Sequence, residues 1–470
     1  MSRINTNVGS LVAQTALTKN NSSLSTSLER LSTGLKINSG KDNPAGLIAA
    51  ESLKSEQAGI TQALDNATRA DNVISTAEGG LSEVSSLLNQ LQGLVNNSAN
   101  SGGLSQEETN ANQLQVDSIL STINRIAGTT SFNGKKLLNG TLDYTTSGVG
   151  SQISDLHVNA ARLGSTSSLT VDINVTAAAS AASISYTGSG ALTGPTTIEI
   201  GGNTGVEQFT FGSGATTSSI KAAINAQTDV TGIVASTAGA SSSGGFALYS
   251  KETGSAQFVS VRVVSGTFGT DKTRDTGTDA SVTVNGANAT TDGTKVSFRS
   301  SGLDVDFNLA DDANAANTTS SFTVTGGGAS FSLGSKVTYG DQVSIGIGSV
   351  TTGSLGSKDL GYLNSLASGA DNDLNSENLV KAQKIVDSAT SQVATLRGRL
   401  GAFQKYTIGS TVNNLNVALE NVQASKSAIT DTDFAEETAN LTRNQILSQA
   451  AQSVLSQANS APQSALRLLQ

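Results

Sequence analysis

The 470-residue chain has no cysteine, a single histidine and three prolines. Without cysteine there are no disulfides, thiolate metal sites or cysteine nucleophiles. Zero thiols fits a cytosolic protein by chance, and equally a protein exported unfolded, for which thiols are a hazard; composition does not choose. A single histidine, His157, rules out the His-Glu-x-x-His zinc motif, and a lone imidazole reads as a surface or packing residue. The prolines, Pro44, Pro195 and Pro462, leave room for long uninterrupted helices at both ends. Aromatics make up 4% of the chain, so cores of Ala, Leu, Val and Ile are expected. No apolar run reaches the roughly 18 residues of a membrane span, and residues 1–10 lack the apolar stretch of a Sec-type signal peptide. A net charge of −9 argues against a nucleic-acid partner and against adhesion to an anionic membrane.

Sites of chemistry are as scarce. Gly201-Gly202 and Gly212-x-Gly214 lack the strand, glycine loop and helix of a nucleotide site. The carboxylates Asp311-Asp312 and Asp304/Asp306 lack a calcium-loop spacing and read as solvated turns. No catalytic residue, cofactor or metal is expected.

What is present is helical periodicity at both ends. Ile4, Val8 and Leu11, then Leu24, Leu28, Leu31 and Leu35, form a narrow apolar seam on a polar helix, as in a coiled coil, up to a break at Asn38-Ser39-Gly40. From Pro44, a good first-turn residue, the seam Ile60, Leu64, Ala67, Ala70, Ile74, Ala77, Leu81, Val84, Leu88, Leu91, Val95 alternates steps of three and four. Its ~50 residues, at about 1.5 Å each, predict a rod of roughly 75–80 Å. Asn100–Gly103 reads as a turn. Ser105 with Glu108 makes a capping box opening a third helix, and Asn133-Gly134 and Asn139-Gly140 mark hairpins or turns.

Between about 143 and 355 the apolar period drops to two, as in Val171-x-Ile173-x-Val175 and Val305-x-Phe307-x-Leu309, in a Gly-, Ser- and Thr-rich background. One short helix is expected around Ile220, Ala223 and Ile224. After Asp359 helical spacing returns, with Ser376 as expected N-cap and a seam Ala382, Val386, Ala389, Val393, Leu396, Leu400, Phe403. The seam then changes phase and resumes as Ile408, Val412, Leu415, Leu419, Val422, Ile429. Gly398, Gly401 and Gly409 on this rod, each costing about 1 kcal/mol relative to Ala, suggest close packing or required deformability, with ordinary tolerance of Gly in a long helix as the alternative for any single one. A terminal helix starts with the Asp433-x-x-Glu436 cap signal and carries Phe434, Leu441, Leu447, Ala451, Val454 and Leu455.

The expected fold class is a multidomain α+β chain. Its N- and C-terminal segments form one coiled-coil-like helical bundle by burying their seams on each other, around a central β-rich insertion. Three parts follow: 1–42 with 432–470 as inner helical termini; 43–142 with 359–431 as a long-helix rod with a β-hairpin; and 143–358 as an exposed β-rich region of one or two subdomains. The expected rod core comprises Leu64, Ile74, Leu81, Leu88, Leu91, Val393, Leu396, Leu400, Phe403, Leu415 and Leu419. The expected contacts to other copies are Ile4, Val8, Leu11, Leu24, Leu28, Leu31, Leu35, Phe434, Leu441, Leu447, Val454 and Leu455.

Three groups of passages closely resemble bacterial flagellin: Ser2-Arg3-Ile4-Asn5-Thr6-Asn7; Glu29 to Leu47, with its Leu31-Ser32-Thr33-Gly34-Leu35 and Asp42-Asn43-Pro44-Ala45-Gly46; and Ser131-Phe132-Asn133-Gly134-Lys135-Lys136-Leu137-Leu138 with the C-terminal Leu396-Arg397-Gly398-Arg399-Leu400-Gly401-Ala402 and Asp433-Phe434-Ala435-Glu436-Glu437. With Ala461-Pro462-Gln463 to Leu469 they cover roughly 1–142 and 359–470. Thr196 to Ser236 looks like the inserted domain many flagellins carry.

The resemblance implies a non-enzymatic filament subunit for swimming motility, extracellular on the bacterial flagellum. It would leave the cell unfolded through the type III flagellar export apparatus. Its partners would be other copies of itself, an export chaperone, and cap and junction proteins. Termini that cannot bury their seams alone would be disordered in the monomer and fold on assembly. Host flagellin receptors are further partners by resemblance. Glu29 to Ala50 looks like the peptide plant receptors recognise, with Pro44 in place of the usual small residue. The animal Toll-like receptor region falls near Leu88 to Asn97. There Leu94 is retained, but Gln90 and Gln115 stand where strongly detected flagellins carry Arg and Glu, which argues against strong activation because charged hydrogen bonds are the stronger ones. A hook–filament junction protein and a filament-borne adhesin are the alternatives.

Overall fold

The structure is a computed structural model that describes residues 6–100, 103–164, 166–188, 190–237, 245–376 and 378–468. Ile4 and part of the expected turn at Asn100–Gly103 lie outside them. Eight helices are found among the described residues: α1 (Val8–Thr33), α2 (Pro44–Ser98), α3 (Gln106–Thr129), α4 (Thr217–Asn225), α5 (Thr228–Thr231), α6 (Leu379–Ala402), α7 (Gly409–Thr430) and α8 (Phe434–Leu468). Helices at both ends flank a strand-rich middle, as the periodicity predicts. The chain divides into two compact units, one of residues 1–69, 332–341 and 406–470, the other of residues 70–331 and 342–405.

In the second unit, residues 71–92 of α2 run antiparallel to residues 387–404, which span α6 and the turn that follows it. The Arg397 Nε and Nη2 donate to Glu78 at 2.9 and 2.8 Å, Gln92 donates to Asp387 at 2.9 Å, and Gln404 donates to Asp71 at 2.7 Å. Inside this polar frame Ile74, Leu81, Leu88, Leu91, Val393, Leu396 and Leu400 are buried, whereas Phe403 is only half-buried. The α3 cap is reciprocal: Ser105 accepts from the Glu108 amide, and the Glu108 carboxylate accepts from the Ser105 amide at 2.8 Å. Buried Gln113 then ties α3 to the 366–374 loop, donating to the Leu366 carbonyl and accepting from the Leu374 amide.

The β region has two cores, one nested inside the other. In the host sandwich, one antiparallel sheet has the order 287–288, 281–284, 169–177, 318–327, 144–147; the other has 290–292, 295–299, 303–309, 153–161. The inward positions of both faces share one apolar cluster with Val171, Ile173, Val305, Phe307 and Phe322. Asn133 and Gly134 (φ 49° and 81°), like Asn285 and Gly286 (51° and 79°), both have positive φ, the primed turn their hairpins need. The described residues between 182 and 276 form the inserted module, whose two small sheets close with α4 on Ile184, Ile198, Ile224, Phe246 and Val259. The chain leaves and re-enters the host at one point: the Ser180 amide donates to the Thr278 carbonyl at 2.9 Å, and the Thr278 amide returns the bond at 3.1 Å.

One local expectation is corrected and two are sharpened. The helix after the β region starts at Leu379 behind Asn378, not behind Ser376, whose hydroxyl instead donates to the Asp373 carbonyl. The phase change after Phe403 is a π-helical turn over Phe403–Ile408, which takes up the five-residue step by wider i→i+5 pairing. At Gly398 and Gly401 an added Cβ meets nothing within 4 Å, so packing inside this chain does not demand glycine there.

Candidate self-assembly interface

The first unit holds the two terminal helices. Gly34 caps α1 in the left-handed region (φ 74°) and turns the chain so that Thr432 N donates to the Gly34 carbonyl and Lys36 N to the Thr430 carbonyl. This short antiparallel clasp fixes the C-terminal end of α1 beside the start of α8. Asp433 Oδ1 caps α8 by accepting from the Ala435 and Glu436 amides at 2.9 and 3.1 Å. The helices then run antiparallel along their length. Arg30 pairs with buried Glu437 at 3.5 Å; Asn444 donates to Ser27; Ser448 donates to Asn21 at 2.8 Å; and Asn7 Nδ2 donates to the Ala458 carbonyl at 2.7 Å.

The surface these helices bury on each other is built from small and polar residues. Ala13 and Ser27 are buried on α1, and Glu437, Ser448 and Ala451 on α8. The apolar seam faces elsewhere. Val8, Leu11, Val12, Leu28 and Leu35 are exposed, as are Phe434, Ile446, Leu447 and Val454. Leu24, Leu31, Leu441 and Leu455 are half-buried. The expectation that the two seams cover each other is therefore corrected. Small side chains let the backbones approach, and that close approach turns the large ones outward. Ile446 and Val12 join the exposed set, although the heptad-like reading passed over both. Their signal was an apolar residue beside the seam rather than on it.

On the remainder of this unit, Leu64, Leu415 and Leu419 are half-buried, and Ala63 rather than Leu64 takes the fully buried position on α2. Ile48 and Val417 are exposed. An exposed apolar set of this extent on one unit marks an interaction site.

Nothing comparable in chemistry accompanies it. Among the described residues no group of three or more His, Asp or Glu is placed to hold a metal, and no helix is long and apolar enough to cross a membrane. The densest set of charges, in the second unit, is structural. Buried Asn159 donates to Asp304 at 2.9 Å and to Asp306 at 2.7 Å, and Arg299 lies 3.6 and 3.8 Å from the same two carboxylates. Arg399 of α6 points its charge toward this set. Burial pushes its pKa down against the pull of Asp306, Asp304 and Asp143, and its Nε is buried without a hydrogen-bond partner. Burial also raises the Asp143 carboxyl above its ordinary value, opposed by a bond from the Tyr144 amide and the charges of His157 and Arg399. His157 itself is an exposed strand residue. Gln90 and Gln115 are exposed and Leu94 is half-buried.

Two family models match the chain: the bacterial flagellin N-terminal helical region over residues 4–143, and the bacterial flagellin C-terminal helical region over residues 383–469. Flagellin D of Vibrio cholerae serotype O1 is 30% identical over 99% of both chains, and flagellin C of the same species is 31% identical, also over 99% of both. The chain belongs to the flagellin family. This flagellin is thus a structural subunit of the bacterial flagellar filament and not an enzyme. Polar flagellin B/D of Vibrio parahaemolyticus is 30% identical over 99% of both chains. Solved structures resemble the flagellin only weakly. FliC from Burkholderia pseudomallei gives a TM-score of 0.24 at 16% identity, over 72% of this chain and 99% of that one.

Proposed function

We propose that this flagellin polymerises by seating the exposed apolar face of its terminal helix pair on neighbouring copies. The observation that carries the reading is the inverted seam. Val8, Leu11, Leu28, Phe434, Leu447 and Val454 face outward on a helix pair whose fully buried positions, among the described residues, are Ala, Ser and Glu, with Leu24, Leu31, Leu441 and Leu455 half-buried. Fully covering one such side chain is worth about 1.5–3 kcal/mol, whereas an exposed polar contact contributes about 1 kcal/mol or less. The pair gains far more from neighbours than from itself. A weakly held pair of this kind also suits passage through the export apparatus in an unfolded state, with an export chaperone covering the apolar face until cap and junction proteins direct assembly outside the cell.

In this reading the inner termini are 1–42 with 432–470, the rod is 43–142 with 359–431, and 143–358 is the exposed region. Gln90 and Gln115, both neutral and exposed, would make the flagellin a weak agonist of animal receptors. Electron microscopy of the purified chain after seeding tests the assembly reading. Long filaments of uniform width are expected; rings, short caps or no polymer would refute it. Limited proteolysis of the monomer should trim residues 1–40 and 430–470 and leave the β region intact. Protected termini in the monomer would contradict folding on assembly.

A further inference from the structure

A second feature of the first unit is unexplained by the terminal helices. Residues 332–341 form a tight loop laid against α2. The Asn66 Nδ2 donates to the Ser332 carbonyl, and the Ser335 carbonyl oxygen sits so close to Gly59 that a Cβ there would approach it to 2.3 Å. The loop is also braced internally. The Leu333 amide donates to the Asp341 carbonyl at 3.0 Å, and the Thr338 hydroxyl donates to the Asp341 carboxylate at 2.6 Å. A loop held this firmly has every means of turning its apolar side chains inward, yet Val337 is 90% exposed and Tyr339 56% exposed. Lys336 stands beside them.

The same unit carries a largely polar groove of about 580 Å³ along α7, bordered by Gln57 of α2, in which Leu419 and Ala424 are the apolar lining residues beside Glu420, Gln423 and Asp431. Gln57 and Gly59 are two residues apart on one helix, so they point about 160° away from each other. Loop and groove therefore lie on opposite sides of α2, and a loop cannot enter the groove of its own copy. A projection on one side and a recess on the other make a heterologous contact, which repeats from copy to copy without closing on itself. That is the geometry an open helical polymer needs. The charges agree: Lys336 is the one charge on the loop tip, and the groove's rim holds Glu420 and Asp431 against a single Lys426.

We propose that in the filament the 333–341 loop of one copy inserts Val337 and Tyr339 into the α2–α7 groove of the next. The proposal rests on the polymer reading above but adds a second contact that does not involve α1 or α8. It is made by the 333–341 loop and the α2–α7 groove, and Gly59 serves to seat the loop.

The absence of cysteine allows a clean test. Full-length chains carrying Val337→Cys and Gln423→Cys are prepared separately, mixed, assembled on wild-type seeds and oxidised. Disulfide-linked dimers of one chain of each kind are expected in the filaments, and only background amounts in unassembled monomer. Filaments that form but contain no mixed dimers would overturn the insertion while leaving terminal-helix assembly intact; so would dimers of two Val337→Cys chains, which imply a symmetric contact instead. No filaments from the wild-type chain would sink both. As an independent readout, Lys336→Glu should raise the critical concentration for elongation about fivefold or more, and Glu420→Lys in the same chain should restore it. A Lys336→Glu chain that elongates like wild type, or one that Glu420→Lys does not rescue, contradicts the pairing.

Discussion

Truncating the outward seam provides a quantitative check on the assembly reading. Leu447 and Val454 are 44% and 57% exposed, so about half of each side chain is left for a neighbour to cover. Fully burying a Leu or Val is worth about 1.5–3 kcal/mol relative to leaving it exposed. Half of that, less the methyl that alanine retains, comes to about 0.5–1 kcal/mol per site. The double variant Leu447→Ala/Val454→Ala should then lose about 1–2 kcal/mol per subunit added, a factor of roughly 5–30 in an equilibrium constant. The assay is the critical concentration for seeded elongation, read by sedimentation of the unpolymerised fraction. The same variant should leave the thermal midpoint of the monomer unchanged, because the side chains contribute little to the intrachain contact. A critical concentration within twofold of wild type would refute the outward role. A fall in monomer stability of the same size would show that the seam is internal after all.

Two further outcomes concern burial along α2 and at Asp143. Ile74→Ala should cost about 2–5 kcal/mol in urea unfolding, because Ile74 is wholly buried between the rod helices, while Leu64→Ala at a half-buried site should cost clearly less. Asp143→Asn should stabilise the fold at neutral pH. The Asp143 carboxyl is raised by burial, so its contribution is fully present below the ordinary carboxylate value and lost as pH rises through the raised one. The variant's advantage in denaturant midpoint should accordingly vanish on acidification, and an advantage that grows in acid would contradict the assignment.

Much of this architecture was legible in the sequence, for reasons that differ along the chain. The rod seam from Ala67 to Val95 could be read because burial on one face of a long helix repeats in steps of three and four. The hairpins at Asn133-Gly134 and Asn285-Gly286 could be read because few residue pairs accept two successive positive φ values. The direction of the terminal seams could not. Periodicity states that Leu28 and Leu447 share a face with their neighbours, but not whether the partner is the same chain or another copy. Ala13, Ser27 and Ala451, which take the buried positions within this chain, carry almost no weight in an apolar pattern. An inserted domain was signalled only by the resemblance of Thr196 to Ser236; its bounds and its nesting inside the sandwich were hidden. The strand 169–177 pairs with 281–284 and 318–327 across more than a hundred intervening residues, and alternation within a strand says nothing about its distant neighbour. The step of five from Phe403 to Ile408 was visible as a break in phase; only the backbone identifies it as a π turn.

The paired amides and carbonyls of Ser180 and Thr278 make the inserted module a detachable one. Its two ends stand one hydrogen-bonded rung apart, and beyond that rung the module meets the host where Ser255 bonds to Asp279 and Gly254 lies against Gly293. Closing that gap with two residues, or with two hundred, changes the loop entropy by only a few kcal/mol and leaves the cores around Val171 and Phe307 untouched. The contacts proposed to build the filament, on α1, α8 and the 333–341 loop with its groove, all lie outside the module, so changing its length or sequence alters none of their residues.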